Sequence, residues 1–165
     1  MKKKTSTKLI RGGINRTNFS ETSEPLFLTS GFVYKTAQEA EKAFKEEKKR
    51  FLYSRFGNPT VEILQKKLAL IEEAESCWLT STGMSALFSI FMSYLKNGDR
   101  VVSARALFGS CHHIVTKILP RFGIEVELVD GTNLNQWELA LKKKTNLVFF
   151  ETPSNPCLDL VDIKE

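Results

Sequence analysis

Residues 100–150 read RVVSARALFGSCHHIVTKILPRFGIEVELVDGTNLNQWELALKKKTNLVFF. Three short apolar runs, at 100–103, 124–129 and 146–150, alternate there with helical patterns at 110–119 and 135–143, and Gly, Asn, Asp or Pro marks the changes. Upstream, the same rhythm adds a fourth run at 77–80 and a helix at 84–95. Strands separated by crossovers of a dozen residues or more argue for a parallel sheet with helices on both faces. The expected class is therefore α/β, with a mostly parallel sheet and flanking helices.

Ahead of this region the pattern is different. Residues 1–34 show no clear period and contain Gly12, Gly13, Pro25 and Gly31, which reads as an extended arm with little regular structure and a solvated start. Over 36–50, Ala37, Ala40, Ala43 and Phe44 recur at helical spacing against a face of mixed charge. A loop over 53–60 leads to a second helix over 61–73, with Pro59 as its start signal.

The chain has 165 residues, 42% hydrophobic and 26% charged, enough for a core without metals or disulfides. Its net charge of +5 comes from one end: Lys2, Lys3, Lys4, Lys8, Arg11 and Arg16 meet no acidic residue in the first 17, which leaves 18 basic against 19 acidic residues in the rest. The body is neutral, so nucleic-acid binding is not expected, and no apolar run approaches the length of a membrane span. Cys77, Cys111 and Cys157 are odd in number and include no close pair, which points to a reducing, cytoplasmic compartment. Cys111, His112 and His113 are consecutive in a helical pattern, so their side chains diverge and no metal is expected there.

In an open parallel sheet, ligands bind beyond the carboxyl ends of the strands. After 77–80 come Ser81, Thr82, Gly83 and Met84, which place hydroxyls and free backbone N–H groups at a helix start, where a phosphate fits. Ser and Thr also cap helices in general, so this feature alone leaves both readings open. After 100–103 comes Phe108 beside Gly109, either a stacking face for a flat ring or a core aromatic. After 146–150 comes Glu151-Thr152-Pro153-Ser154-Asn155-Pro156, where two prolines stiffen a loop that presents an amide. No Gly-x-Gly-x-x-Gly, P-loop or Gly-x-Ser-x-Gly motif occurs. Phosphate site, ring stacker and rigid amide together describe a small phosphorylated aromatic cofactor.

Four blocks carry a resemblance: Tyr53-Ser54-Arg55-Phe56-Gly57-Asn58-Pro59-Thr60, Thr82-Gly83-Met84, Leu107-Phe108-Gly109-Ser110 and Glu151-Thr152-Pro153-Ser154-Asn155-Pro156. In order and spacing the chain resembles the Cys/Met-metabolism family of pyridoxal 5′-phosphate (PLP) enzymes, over nearly its whole length, and within it the homoserine-ester sulfhydrylase branch. The resemblance implies a fold-type-I PLP-transferase large domain, with 1–55 as arm and helix and 56–165 as the first part of the PLP-binding domain. It implies that Tyr53 and Arg55 hold the cofactor phosphate of a neighbouring subunit, that Thr82, Gly83 and Met84 form the phosphate cradle of their own subunit, that Phe108 stacks on the pyridine ring and that Asn155 contacts its 3-hydroxyl. The implied reaction is γ-replacement on a homoserine ester by sulfide or cysteine, and the implied assembly is a homo-oligomer, dimer or tetramer, or a pairing with a complementing carboxy-terminal chain.

Two departures accompany the resemblance. Much of the family has Tyr where this chain has Phe108, so no acid/base role passes to that position. PLP chemistry also needs an attaching lysine and an acid for the pyridinium nitrogen, and in the family both follow well after the Asn155 loop. Asp159, Asp162 and Lys164 do not match them. The expectation is an amino-terminal portion that is inactive alone, with a decayed or split-gene product acting only through a partner chain as the alternative.

Overall fold

A computed structural model describes residues 4–165; Lys2 and Lys3 of the basic arm lie outside the described residues. The chain divides into two compact units, the first ending at Leu79 and the second covering Thr80–Glu165.

The first unit holds three helices, α1 (Thr5–Arg11), α2 (Ala37–Phe44) and α3 (Pro59–Glu72). The start of α3 follows from local chemistry: Pro59 occupies its first turn, and the Asn58 side chain accepts the Thr60 N–H at 2.9 Å. Asn58 is buried, and its amide also donates to Phe27 O and Ser54 Oγ, both at 2.9 Å, which ties the arm to the loop before α3. Helix α2 is capped by Thr36, whose hydroxyl accepts the Glu39 N–H at 3.1 Å. It ends at Phe44 instead of continuing to 50, because the charged run from Lys45 offers no apolar side chain to pack and Glu46 turns into the left-handed region at φ 59°.

Helix α1 corrects the expectation of an arm with a solvated, irregular start. Seven residues form no stable helix alone; α1 forms because it lies on α3, where Lys8 Nζ donates to Leu70 O at 3.1 Å and pairs with Glu73 at 3.3 Å. Gly13 then passes so close to α3, at φ 71°, that a Cβ there would stand 2.9 Å from Lys66 Cβ. Beyond it the arm has no regular element until α2, as expected, apart from a single bridge between Gly31 and Tyr53.

The second unit is a parallel sheet of β1 (Arg100–Ala104), β2 (Glu125–Val129) and β3 (Leu147–Phe149) in the order β2-β1-β3, with Val102 opposite both Glu127 and Val148. Successive side chains of β1 face opposite sides. Val101 joins Phe91 and Leu95 from the region of α4 (Gly83–Tyr94), with Val115 and Leu119, in one buried cluster. On the other face Val102, Ala104 and Val129 pack against Trp137 and Ala140 of α6 (Leu134–Leu141). The central strand is wholly buried and both faces are covered, as the apolar runs predict.

Arg100 locks the amino end of β1. Its guanidinium pairs with Glu125 at 3.2 Å and with Glu127, and donates to Ala140 O at 3.0 Å and Thr145 Oγ1 at 2.6 Å. A buried guanidinium is tolerated because several acceptors receive its N–H groups.

Two further expectations are corrected. The run 77–80 forms no strand: apolar residues give propensity, but a strand exists only with a hydrogen-bonded partner, among the described residues the ladders join only β1 to β2 and β3, and Trp78 is 81% exposed. The continuous helix expected over 110–119 is instead α5 (Gly109–His113), a π-helical turn over Ile114–Ile118 and a 3-10 turn over Leu119–Phe122. Pro120 has no N–H to continue an α-helical ladder, and Thr116 Oγ1 donates to His112 O at 2.8 Å within the widened turn. Among the described residues no helix is long and apolar enough to cross a membrane.

Candidate functional site

The strand ends of the second unit open onto a hollow of about 520 Å³ lined by Thr82, Gly83, Met84, Leu87, Phe108, Cys111, Phe149, Phe150 and Glu151. The structure thus brings together Thr82, Gly83, Met84 and Phe108, four of the residues singled out from sequence.

Local capping explains the free donors at this site. Thr82 is the N-cap of α4, and its Oγ1 accepts the Ser85 N–H at 3.0 Å. That satisfies one first-turn amide and leaves those of Gly83 and Met84 with no carbonyl of their own helix to meet. Gly83 has no positive φ, and a Cβ built on it meets nothing within 4 Å. Neither backbone conformation nor protein packing calls for glycine there; what glycine keeps open is the space above the amides. This cradle, at the positive end of a 12-residue helix, fits a phosphate group.

Phe108 is 44% exposed and presents its ring to the hollow, so the core alternative does not describe it. The loop is anchored by its buried neighbour Leu107, while the Phe108 N–H donates to Glu151 Oε2 at 2.7 Å and its carbonyl accepts the His112 N–H at 2.9 Å. Cys111 stands beside Met84, with sulfurs 3.9 Å apart; burial pushes its thiol pKa up, and the Glu151 carboxylate adds to the rise.

Asn155 does not line the hollow, but its loop is tied to it: the Asn155 N–H donates to Glu151 Oε1 at 3.2 Å. The next residue inward, Ser154, is buried, gives its N–H to Asp159 O and takes the Asp159 N–H on its hydroxyl, both at 3.0 Å. Both X-Pro bonds of this loop are cis. The sequence motif by itself assigns Glu151 no task. Its signal was a carboxylate placed directly after an apolar run that ends at a sheet's ligand-binding edge.

Tyr53 and Arg55 lie in the first unit. The Arg55 guanidinium sits over the Tyr53 ring, 5.2 Å from its centroid, and 5.3 Å from that of Phe56. Their loop is held by Ser54, whose N–H donates to Ser30 O at 2.8 Å, and both side chains remain exposed. A guanidinium so placed keeps N–H groups available for a bidentate anion.

Comparison with known proteins gives a consistent picture. Residues 6–165 match the family described as Cys/Met metabolism PLP-dependent enzyme. The chain is 51% identical over 154 residues to O-succinylhomoserine sulfhydrylase of Mycobacterium tuberculosis, covering 93% of this chain and 38% of that protein. It is 38% identical to L-methionine gamma-lyase of Fusobacterium nucleatum, covering 96% of this chain and 40% of the relative. Among solved structures, a putative O-acetylhomoserine (thiol)-lyase from Campylobacter jejuni carrying N′-pyridoxyl-lysine-5′-monophosphate superposes with a TM-score of 0.87 at 26% identity, over 98% of this chain and 40% of that one. The chain therefore spans about two fifths of the length of these relatives.

Proposed function

The chain belongs to the Cys/Met metabolism family of PLP-dependent enzymes and has the α/β fold of the fold-type-I members; from that premise we propose that it forms the phosphate cradle and ring-binding face of a homoserine-ester sulfhydrylase. The observation that carries this reading is the hollow in which two helix-start amides, kept accessible by Gly83, share one lining with the exposed Phe108 ring.

In this reading the Gly83 and Met84 N–H groups receive the cofactor phosphate while Thr82 fixes the first turn from which they point. Fixed backbone donors need no reorganisation when the anion arrives. Phe108 covers one face of the pyridine ring, and lacking a hydroxyl it contributes stacking alone. Asn155 stands outside the lining but is tied to it through Glu151, and it is assigned the ring 3-hydroxyl. Tyr53 and Arg55 bind the phosphate held by a neighbouring subunit, which makes the working protein a homo-oligomer or a pairing with a complementing chain. When bound, the cofactor supplies an electron sink for charge that develops on substrate carbon. The lysine that attaches it and the acid that faces its ring nitrogen come from outside the 165 residues, with 1–55 serving as arm and helix and 56–165 as the first part of the cofactor domain.

The substrate class is the one named for the Mycobacterium tuberculosis relative, a succinyl ester of homoserine: its Cγ–O bond breaks, succinate leaves with the bonding pair, and sulfide adds at the γ-carbon to give homocysteine. Equilibrium dialysis tests the cofactor reading. Pyridoxamine 5′-phosphate, whose amine does not condense with surface lysines, is expected to bind saturably at one per chain, and pyridoxamine without phosphate much more weakly. Equal affinity for the two compounds overturns the phosphate cradle. The chain alone is expected to make no homocysteine from O-succinylhomoserine and sulfide, and turnover by it overturns the placement of the attaching lysine elsewhere.

A further inference from the structure

We propose that Glu151 is a positioning residue that couples the loop presenting Phe108 to the loop presenting Asn155, so that ring face and amide act as one bracket. The inference rests on the cofactor reading above. It starts from the two oxygens of a single carboxylate: Oε2 accepts the Phe108 N–H at 2.7 Å, across 43 residues of sequence, and Oε1 accepts the Asn155 N–H at 3.2 Å. Both donors are backbone groups, so the bonds set the path of the chain at Phe108 and at Asn155 and not the rotamer of a side chain.

Three observations make this more than a surface hydrogen bond. Glu151 is half-buried, lines the hollow and lies two residues after the end of β3, so its backbone is held next to the sheet. Among the described residues no cation pairs with its carboxylate, so both oxygens serve the two amides. Phe108 occupies the N-cap position of α5 with no side-chain cap of its own, and the acceptor its N–H meets is the Glu151 carboxylate. Hydrogen bonds from backbone donors to an ionised acceptor are among the stronger ones in proteins. Glutamine in its place keeps the length but has one acceptor oxygen and an NH₂ group that repels an N–H donor, so it can hold only one of the two loops in this arrangement.

The bracket acts on the ring and leaves the phosphate cradle alone, since the Gly83 and Met84 amides are set by Thr82. That separation gives the test. In the wild-type chain, hydrogen-bond scalar couplings measured by NMR are expected from the amide nitrogens of both Phe108 and Asn155 to the Glu151 carboxylate carbon. The Arg105 N–H to Val129 O bond, 2.8 Å long, is the internal standard. Failure of either coupling while the standard is visible overturns the bracket without recourse to a variant. In Glu151→Gln, affinity for pyridoxamine 5′-phosphate is expected to fall roughly fivefold to tenfold, while affinity for inorganic phosphate stays unchanged. Loss of both affinities together marks a general structural role and overturns the positioning one. A wild-type chain that binds no pyridoxamine 5′-phosphate overturns the cofactor reading and this role with it; one that binds it no better than Glu151→Gln does overturns the positioning role alone.

Discussion

In the first unit the chain between Gly13 and Lys35 is held by polar groups reaching backbone: Arg11 donates to Thr22 O at 2.9 Å, Arg16 to Glu21 O at 3.1 Å, Asn58 to Phe27 O at 2.9 Å, and the Phe27 N–H reaches Thr60 Oγ1 at 2.8 Å. In the second unit the sheet is held by two apolar clusters, one on each face of β1. The first arrangement leaves Phe19, Leu28 and Val33 more than nine-tenths exposed, whereas in the second the side chains of the central strand are all buried. A segment can follow a defined path without a core of its own if enough of its carbonyls and amides find side chains, but its stability then depends on a few bonds instead of on buried area.

That contrast can be broken most forcefully in the packed unit. Phe91 is fully buried and meets Phe149 edge-on at 5.2 Å, so Phe91→Ala is expected to destabilise by about 3–5 kcal/mol, read as a lower urea midpoint for the second unit. A smaller loss is expected in the stitched unit. Asn58→Ala removes a helix cap and two tertiary bonds, for about 1–3 kcal/mol. Hydrogen exchange is expected to quicken at Phe27 and Thr60 and to stay unchanged at Val102, and equal quickening at Val102 contradicts the independence of the two modes of support.

Gly83→Ala sharpens the comparison from the side of function. Since its Cβ meets no protein atom, stability is expected to move by no more than about 0.5 kcal/mol. Affinity for pyridoxamine 5′-phosphate is expected to fall about tenfold, because the methyl occupies space the phosphate needs. A large stability loss with intact binding contradicts the cradle.

The smallest effect concerns Glu39 at the start of α2. It accepts the Lys35 N–H at 2.8 Å and lies 3.0 Å from the Lys48 ammonium and 2.9 Å from the Arg50 guanidinium, and these hold its carboxyl at about 2 against an ordinary 4.5. The folded value lies below the unfolded one, so the stabilisation is present above pH 4.5 and is lost as pH falls through about 2. The urea-midpoint difference between wild type and Glu39→Gln is therefore expected near pH 6 and to vanish near pH 2, and to shrink with added salt. A difference that grows in acid contradicts the assignment.

Much of this organisation is legible in the amino-acid sequence. Runs at 100–103, 124–129 and 146–150 become β1 to β3 with ends shifted by a residue, because the apolar run of β1 suits a central parallel strand buried on both faces and the other two runs find it as their ladder partner. Thr82-Gly83-Met84 reads correctly as a helix start because a cap is a local bond between neighbours. The run 77–80 misled, since propensity without a partner builds no ladder, and α1 was missed because its support is the surface of α3 and not its own seven residues.

Phe108 shows where the division falls. Its type and its place after a strand follow from the amino-acid order alone, as do the α/β class, the helix-start donors and the family resemblance, all of which depend on neighbouring residues or on periodic pattern. That its ring faces a hollow and that a carboxylate 43 positions away receives its amide were decided only when the sheet brought the ends of β1 and β3 together. Pairings between distant segments are set by which strands share a ladder, and no local preference encodes that choice.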